Sequence, residues 1–517
     1  MSTHDSPAGP AAAAMSRWRH VPASHLGRLL AASLAGAAPG AILGLAMPRG
    51  PMTSGQSLTA LTVAVGCGAL SGRVLRSRWA ALLASASLAT AFELARLGTP
   101  GPTVGAVRLD NAFGIVAFLA GRGFDGLVII APMVVAALGG AALARRCRPA
   151  STGSPARLSA WLVLRRGTFA LACLAVLALV VTLARPASTE PITGAHGRPL
   201  PGAIAELAVI PIGGHDQSIM LRGNDVHTPV LLFLEGGPGG TALGSMRCCG
   251  QGLEKHFVVA TWDQRGTGKS AGALEPVATL TMERAVSDTI EVSEYLRTRF
   301  GQSAVYLVGS SWGTVLGVRA VQDRPDLFRA YVGTGQMVDL QETDRRMYAE
   351  SVAYARRVGD ARFAGQLKAI GPPPYTDLLA YPVAIATNPD WDDFSPGADH
   401  DARSGYPASL FVSEYTFTEQ VRSMAAMIDT FALMYPQLQN IDFRQDVPRL
   451  EVPVYVVEGA HEAPGRAVLA KEWFAALSAP RKTITEFERS GHTPQLDEPG
   501  RFAAFMANVV LAQTSAR

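Results

Sequence analysis

The amino-acid sequence predicts a doubly wound α/β domain with a mostly parallel sheet, preceded by an all-helical transmembrane module. Three observations support this prediction. Uncharged apolar runs dominate the first part of the chain, strand and helix signals alternate in the last part, and a segment rich in Pro, Gly and small polar residues separates them. The alternation is interrupted once by helices and loops, which predicts a cap inserted into the α/β core. The predicted parts are 1–185 (transmembrane module), 186–202 (linker), 203–335 with 448–517 (core) and 336–447 (cap).

The two halves of the chain carry opposite charge. Residues 1–185 hold 17 Arg, no Lys and four acidic residues, a formal charge of +13. The remaining residues hold 29 of the 46 basic and 38 of the 42 acidic side chains, a formal charge of −9. Because binding to nucleic acid needs a basic face, the acidic second half argues against a nucleic-acid partner.

The apolar runs of the first half have the length of membrane-spanning helices. A bilayer core of about 30 Å needs roughly 20 helical residues, and four of the five runs approach or reach that length. They lack the polar stripe of a soluble amphipathic helix, so the lipid bilayer is a predicted partner. A sixth stretch, Ala112–Gly121, covers only about half a bilayer and is predicted to be re-entrant or interfacial. The five runs cover residues 29–48, 55–72, 79–92, 126–144 and 167–184.

Arginine placement predicts the orientation of the module. With five spans and the N-terminus inside, the cytoplasmic segments hold twelve arginines and the outer loops hold four. This distribution fits the positive-inside rule, whereas a sixth span would move the arginines of 145–166 outside. We therefore expect a multi-pass protein of the cell membrane with residues 186–517 on the extracytoplasmic side. The inner arginines are Arg17, Arg19, Arg28, Arg73, Arg76, Arg78, Arg145, Arg146, Arg148, Arg157, Arg165 and Arg166, and the outer ones Arg49, Arg96, Arg108 and Arg122.

Short apolar strands alternate with helices in the second half. Continuous apolar runs of five or six residues are typical of strands that are buried on both faces of a parallel sheet. The predicted strands are Ala203–Ile212 and Ser218–Arg222 (an opening hairpin), Pro229–Leu234, Phe257–Trp262, Ala304–Val308, Ala330–Gly333, Val452–Val457 and Thr483–Phe487. The predicted helices of the core are Met282–Phe300, Trp312–Gln322 and Arg501–Gln513.

A G-x-S-x-G element, Gly309–Gly313, lies between a predicted strand and a predicted helix. This context is that of a strand–turn–helix elbow, which exposes the central serine at the carboxyl edge of the sheet. Ser311 is therefore the candidate nucleophile, and Ser310 is an elbow flank.

A serine hydroxyl needs a base, and the base needs a carboxylate that orients it. His492 follows the last predicted strand, as the elbow architecture requires, whereas His256 and His461 fall at the wrong place in the chain order. Glu462 follows the strand Val452–Val457 and completes the order Ser, Glu, His. Glu458 is the competing carboxylate, nearer the strand end.

Backbone N–H groups of Trp312 and of the loop after Leu234 are the predicted oxyanion donors. This loop, E-G-G-P-G-G at 235–240, is rich in glycine, so backbone amides can face a substrate oxygen. A phosphate-binding interpretation fails because the chain lacks G-x-x-x-x-G-K-[ST].

Three motifs in order, E-G-G-P-G-G, D-Q-R-G-T-G-K-S at 263–270 and G-S-S-W-G, resemble those of the proline iminopeptidase branch of the α/β hydrolases. The resemblance covers about residues 203–517. It implies an α/β-hydrolase fold with a helical cap, no metal or organic cofactor, and release of N-terminal residues from small peptides through an acyl-enzyme. Carried over by position, Gly237 and Trp312 would be the oxyanion donors.

One residue departs from the family pattern, since Glu235 stands where the family has histidine. We expect Glu235, or one of the cap acids Glu342, Glu350 and Glu414, to bind a substrate amine. The alternative for Glu235 is a structural hydrogen bond behind the loop.

Two other functions stay open. A lipid or small-ester hydrolase would use the same Ser311, and the membrane module would deliver its substrate. A catalytically silent membrane receptor or transport component is the alternative of another class.

Overall fold

In the computed structural model of the chain, the described residues are 25–146, 160–385 and 388–515. They form two compact units. Arg17, Arg19, Arg148 and Arg157, which contribute to the predicted orientation, lie outside the described residues. The first unit holds 25–50, 58–98, 125–146 and 160–181, and the second holds 51–57, 99–124, 182–385 and 388–515. The second unit thus includes the segments 51–57 and 99–124, each of which is a connecting loop with the first residues of the apolar helix that follows it.

The apolar part of the described chain forms helices. Four of them are long and apolar enough to cross a membrane, by length and composition, and a fifth, Trp79–Ala95, is shorter. Glycine allows the first and third helices to pack closely, because a Cβ atom at Gly36 would lie 2.2 Å from the Ala84 carbonyl oxygen. The five helices are His25–Ala46, Ser54–Leu75, Trp79–Ala95, Ala112–Arg146 and Ala160–Ala184.

The stretch Ala112–Gly121, for which the sequence predicts a re-entrant or interfacial position, is the first part of the continuous helix Ala112–Arg146. Its position relative to a bilayer stays a prediction, and the polar residues after it do not break the helix. The Arg122 guanidinium donates to the carbonyl oxygens of Thr103 and Val104, at 3.1 and 2.9 Å, and the backbone continues through two wide π-helical turns.

The second unit contains an eight-stranded sheet of order β1-β2-β4-β3-β5-β6-β7-β8. β1 pairs with β2, and β2 pairs with β4, both in antiparallel orientation. All the other neighbours in this order, from β4 and β3 to β7 and β8, are parallel. The predicted doubly wound, mostly parallel sheet with its opening hairpin is confirmed. The strands are β1 (Ile204–Ile212), β2 (His215–Gly223), β3 (Val230–Leu234), β4 (Val258–Trp262), β5 (Val305–Ser310), β6 (Phe328–Thr334), β7 (Val454–Gly459) and β8 (Lys482–Phe487).

Helices cover both faces of this sheet. In β5, Val305 and Leu307 belong to the core on one face, whereas Tyr306 and Val308 belong to the core on the other. This alternation explains why the central strands are continuously apolar. The core helices are Leu243–Cys249, Met282–Arg299, Trp312–Asp323, Pro464–Ala476, Pro494–Asp497 and Pro499–Phe505, the last of which continues to Thr514.

Helices and loops fill the segment between β6 and β7, where the sequence predicts a cap. One of them, Phe417–Met434, is called the cap helix below, and it begins with a capping box formed by Thr416 and Glu419. The other helices of this segment are Leu340–Val358, Ala361–Ile370, Tyr381–Ile385 and Phe443–Asp446.

The segment predicted as a linker, 186–202, makes hydrogen bonds with the second unit. Ser188 N donates to the Ser413 carbonyl oxygen at 2.9 Å. The buried Arg222 donates from Nη1 to Thr189 Oγ1 and to the Glu190 carbonyl oxygen, each at 2.7 Å. The start of this segment is thus held against the edge of the sheet rather than free in solvent.

Candidate active site

Ser311 occupies a sharp turn between β5 and the helix Trp312–Asp323. Its backbone has φ 52° and ψ −119°, a conformation that is unfavourable for any residue with a side chain. Ser311 N donates to the Thr334 carbonyl oxygen at 3.0 Å, which fixes the turn against β6. The flanking position 313 needs glycine, because a Cβ atom there would lie 2.1 Å from the Leu234 carbonyl oxygen. The G-S-S-W-G sequence thus forms a strained elbow at the carboxyl edge of the sheet.

His492 and Glu462 form a direct contact at the same edge. His492 lies in the loop after β8, and its Nδ1 lies 2.6 Å from Glu462 Oε2. Glu462 lies in the loop after β7, and only 1% of its side chain is exposed. This is the arrangement in which a carboxylate orients an imidazole.

Arg466 is a third member of this cluster, and it was not predicted from the sequence. Its Nη1 donates to Glu462 Oε1 at 2.7 Å and lies 2.8 Å from His492 Nδ1. Burial by itself raises the pKa of Glu462, but the Arg466 charge and the His492 contact outweigh burial and lower this pKa to about 2. Glu462 is therefore an ionised carboxylate.

The competing carboxylate, Glu458, lies at the end of β7 and is almost completely buried. Burial, and then the negative charge of Glu462, raise the pKa of Glu458 well above its usual value. Glu462, and not Glu458, is the acid in contact with His492.

Ser311, Glu462 and His492 all line one cavity of about 440 Å³. Among the hydrogen bonds of the described residues, none joins Ser311 to His492, and Ser311 Oγ lies 3.8 Å from Met337 Sδ. Hydrogen bonds of this kind are often formed only in the substrate complex. The rest of the wall is largely apolar and aromatic, with contributions from Met347, Tyr381, Trp391, Phe394, Phe431 and Leu438.

The glycine-rich loop after β3 closes one side of the cavity. A Cβ atom at Gly236 would lie 2.9 Å from Ser311 Cβ and 3.5 Å from its Oγ, so Gly236 is the loop residue that lies against the serine. Gly237 is exposed, lines the cavity and has φ 124°. Trp312, the other predicted donor, begins the elbow helix directly after Ser311.

Gln264, in the D-Q-R-G-T-G-K-S segment, joins the elbow to the glycine-rich loop. Its Oε1 accepts a hydrogen bond from Trp312 Nε1 at 2.9 Å, and its Nε2 donates to the Glu235 carbonyl oxygen at 2.9 Å. The second motif of the sequence therefore fixes the distance between the first and the third.

The structure does not bring the predicted amine-binding acids to the cavity wall. Glu235 accepts a hydrogen bond from Gly236 N at 2.9 Å, and burial raises its pKa.

The three cap acids have other partners. Glu342 pairs with Arg346 at 2.7 Å on the surface of its helix, and Glu414 pairs with Arg247 at 3.1 Å. Glu350 lies beside the start of the helix Pro464–Ala476, where burial raises its pKa. On the helix Leu340–Val358, the residues Leu340, Thr343 and Met347 line the cavity and the two glutamates do not.

Other polar residues do line the cavity. Apart from Glu462, its acids are Asp392 and Asp497. Asp392 is exposed, whereas Asp497 is buried and accepts a hydrogen bond from Gly491 N at 3.0 Å. His461, which the chain order excluded as a base, lines the cavity with its ring stacked on Phe394 at 4.9 Å between centroids.

Comparison with known proteins agrees with this architecture. The family described as alpha/beta hydrolase fold matches residues 229–370. A protein of Bacillus subtilis, named probable aminopeptidase YbaC, is 32% identical over 312 residues, which are 58% of this chain and 95% of that protein. A probable proline iminopeptidase of Leptolyngbya boryana is 34% identical over 109 residues, 20% of this chain and 30% of that protein.

Among solved structures, the proline iminopeptidase of Mycobacterium smegmatis is 19% identical to this chain, with a TM-score of 0.44. The match covers 60% of this chain and 98% of that protein. The relationship to the Bacillus subtilis protein extends over nearly all of that protein's length. The chain thus belongs to the α/β-hydrolase family and is a hydrolase with relatives named aminopeptidase and proline iminopeptidase.

Proposed function

We propose that the chain is a membrane-anchored serine hydrolase in which Ser311 is the nucleophile, His492 the general base and Glu462 the carboxylate that orients His492. The observation that carries this proposal is the 2.6 Å contact between His492 Nδ1 and Glu462 Oε2, in the wall of a cavity that Ser311 also lines. With Nδ1–H donated to Glu462, Nε2 is left free to accept the proton of a serine hydroxyl.

The proposed reaction passes through an acyl-enzyme. Ser311 Oγ forms a bond to the substrate carbonyl carbon while its proton passes to His492 Nε2. The C–N or C–O bond then breaks, and Nε2 returns the proton to the leaving amine or alcohol. In the second half of the reaction, water attacks the acyl carbon while one of its protons passes to His492 Nε2. The ester bond to Ser311 then breaks, Nε2 returns the proton to Ser311 Oγ, and the acid is released.

The oxyanion of this reaction would accept hydrogen bonds from backbone N–H groups. The N–H of Trp312 is one proposed donor, since it follows Ser311 at the start of a helix, where the helix dipole also favours negative charge. Gly237 is the second donor by family position. The contact of Gly236 with Ser311 keeps that part of the loop next to the developing charge.

We propose small peptides with a free N-terminus as substrates. A cavity of about 440 Å³ with aromatic and thioether walls suits one apolar residue and the start of the next. Asp392, which is exposed on that wall, is the acid best situated to pair with a substrate ammonium group, and it takes over the role expected of Glu235 and the cap glutamates. Because the wall is largely apolar, a small-ester or lipid substrate is the second candidate.

Anchoring in a bilayer is the remaining part of the proposal. Four long apolar helices support it, and the arginine distribution supports a catalytic part on the extracytoplasmic side.

Labelling with a fluorophosphonate probe tests the nucleophile. The full chain in membranes is expected to be labelled, Ser311→Ala is expected to lose the label, and the neighbouring Ser310→Ala is the matched control. Absence of labelling on folded protein would favour the silent receptor or transport component. A membrane-impermeant probe applied to intact cells tests on which side of the membrane Ser311 lies. If Ser311 is not labelled in intact cells but is labelled after lysis, the catalytic part is cytoplasmic.

Turnover of aminoacyl anilides and of short-chain esters separates the two substrate classes. A preference for the anilide with a free amine supports the aminopeptidase. Turnover of esters alone would replace it with the lipid or small-ester hydrolase.

A further inference from the structure

The cap helix, Phe417–Met434, is packed against the segments 51–57 and 99–124, each of which is a loop with the start of the apolar helix that follows it. Both segments and the cap helix belong to the second unit. Ser57 Oγ and Thr418 Oγ1, both fully buried, lie 2.9 Å apart, and the rings of Phe124 and Phe417 lie 5.9 Å apart.

A buried arginine makes several of the polar contacts at this packing surface. Arg422 has no exposed surface, and its guanidinium lies 4.7 Å from the centre of the Phe124 ring. Nε donates to the Pro51 carbonyl oxygen at 2.9 Å, and Nη1 donates to the Ala120 carbonyl oxygen at 3.0 Å. A buried charge is costly unless its donors are satisfied, so the position of the cap helix depends on these carbonyl groups.

Asp429 forms the second polar contact, two turns further along the cap helix. Its Oδ1 accepts a hydrogen bond from Thr103 N at 3.0 Å, and its Oδ2 accepts one from Thr103 Oγ1 at 2.5 Å. Only 1% of Asp429 is exposed. Both carboxyl oxygens of this buried side chain thus accept hydrogen bonds from Thr103.

Other residues of the cap helix face the candidate active site. Phe431, two residues after Asp429, lines the cavity. A Cβ atom at Gly239, in the glycine-rich loop, would lie 2.7 Å from the Met427 carbonyl oxygen. Thr430 Oγ1 donates to the Gly266 carbonyl oxygen at 2.7 Å. The cap helix is thus held between the N-terminal segments and the loops that border Ser311.

We infer that the segments 51–57 and 99–124 position the cap helix over the active site, with Thr103, Arg422 and Asp429 as positioning residues. The shape of the substrate cavity then depends on loops and helix starts of the N-terminal part of the chain, far from the catalytic motifs in sequence. The inference rests on the proposed function for its consequence in catalysis, but the contact itself can be tested without activity.

Thr103→Val and Thr103→Ser form a matched pair for the test. Valine keeps the shape of threonine and loses the hydroxyl donor, whereas serine keeps the donor. Thr298→Val, at an exposed position of the helix Met282–Arg299, is the control for threonine replacement elsewhere. All are made in the full chain in detergent or nanodiscs, and amide hydrogen exchange of residues 417–434 is measured for each.

We expect amide exchange in 417–434 to become about tenfold faster in Thr103→Val, because a buried carboxyl group loses one of its hydrogen bonds. Thr103→Ser and Thr298→Val should stay within about twofold of the parent chain. Equal exchange in Thr103→Val and the parent chain would overturn the inference, and so would equal acceleration in the valine and serine variants.

Kinetics give the second readout. Thr103→Val should raise KM for a peptide-sized substrate about fivefold while the rate of labelling of Ser311 by a small fluorophosphonate changes less than about twofold, because the small probe needs less of the cavity wall. A parallel fall in both rates would mean general damage and would count against positioning. Absence of labelling in the parent chain would instead contradict the proposed function and leave the exchange result to decide the inference.

Discussion

The Arg466 guanidinium lies 2.7 Å from the Glu462 carboxylate, one helical turn further along the chain. Only 14% of the arginine side chain and 1% of the glutamate side chain are exposed. The pair belongs to the same cluster as the contact between Glu462 and His492, so it affects both the stability of the fold and the orientation of the imidazole.

Arg466→Gln is expected to destabilise the second unit and to make it more sensitive to acid. A carboxyl whose pKa is lower in the folded state than in the unfolded state stabilises the fold above its unfolded pKa and loses that contribution as pH falls through the folded value. The folded pKa of Glu462 is about 2, against an ordinary value of 4.5. Without the Arg466 charge this pKa rises, so the contribution is lost at a higher pH.

At neutral pH the free energy of unfolding should fall by about 3 kcal/mol, since one partner of a buried pair is removed. Thermal unfolding between about pH 4 and about pH 8 measures both effects. Arg346→Gln is the matched control, because Arg346 is more exposed and pairs with Glu342 on a helix surface. Equal Tm values for the two variants across this range would contradict the prediction.

Replacement of the two glutamates near His492 should have unequal effects. Glu462→Gln removes the charge that stabilises the imidazolium, and we expect kcat to fall by about 10³-fold or more. Glu458→Gln replaces a carboxyl group, whose pKa burial raises, by an amide of similar shape, so kcat should stay within about fivefold of the parent value. Steady-state kinetics on one substrate decides, and the reverse order would assign the role of orienting His492 to Glu458.

Gly236→Ala should block the nucleophile. The added Cβ atom would lie 2.9 Å from Ser311 Cβ, and one of the two groups would have to move. A shift of the elbow or of the oxyanion loop by this amount is expected to lower the rate of fluorophosphonate labelling by about 10²-fold. Gly272→Ala is the control, because a Cβ atom there would meet nothing within 4 Å. Unchanged labelling of Gly236→Ala would mean that the loop does not border the reacting oxygen.

Asp392→Asn should affect substrates with a free amine selectively. If Asp392 pairs with the ammonium group, KM for an aminoacyl anilide should rise about tenfold, whereas an N-acetylated analogue should be turned over as before. Asp393→Asn, at the next exposed position, is the matched control. Equal effects on both substrates would remove Asp392 from amine recognition.

Most of the fold was predictable from the sequence because it follows from local patterns. Continuously apolar strands alternate with helices, and this pattern alone gives the doubly wound sheet. Ser311, Glu462 and His492 each follow a predicted strand, and the carboxyl ends of parallel strands meet at one edge. The structure brings all three to one cavity.

Arg466 was missed because no motif marks it. It follows Glu462 at the spacing of one helical turn, but arginine is frequent in this chain and the start of the helix Pro464–Ala476 was not predicted. The acids of the cavity were missed for a related reason. Asp392 lies in a loop of the cap, and loop geometry is set by tertiary contacts rather than by periodicity.

The stretch Ala112–Gly121 illustrates a different limit. Its ten apolar residues cover only about half a bilayer, which predicts a short re-entrant or interfacial segment, whereas the helix of the structure continues through Arg122. In the folded chain its guanidinium is satisfied by carbonyl oxygens of the preceding loop, so the polarity of the side chain gives no information about the backbone.

The contacts of Arg422 also impose an order on biogenesis. The carbonyl groups of Pro51 and Ala120 are synthesised 371 and 302 residues before their partner on the cap helix. Until synthesis reaches residue 422, these groups have no guanidinium to bind and the second unit cannot close. Contacts between residues so far apart in sequence form slowly, and the chain exposes apolar surface until they have formed. We therefore expect that few nascent chains truncated before the cap helix fold their second unit, even when all the apolar helices have been synthesised.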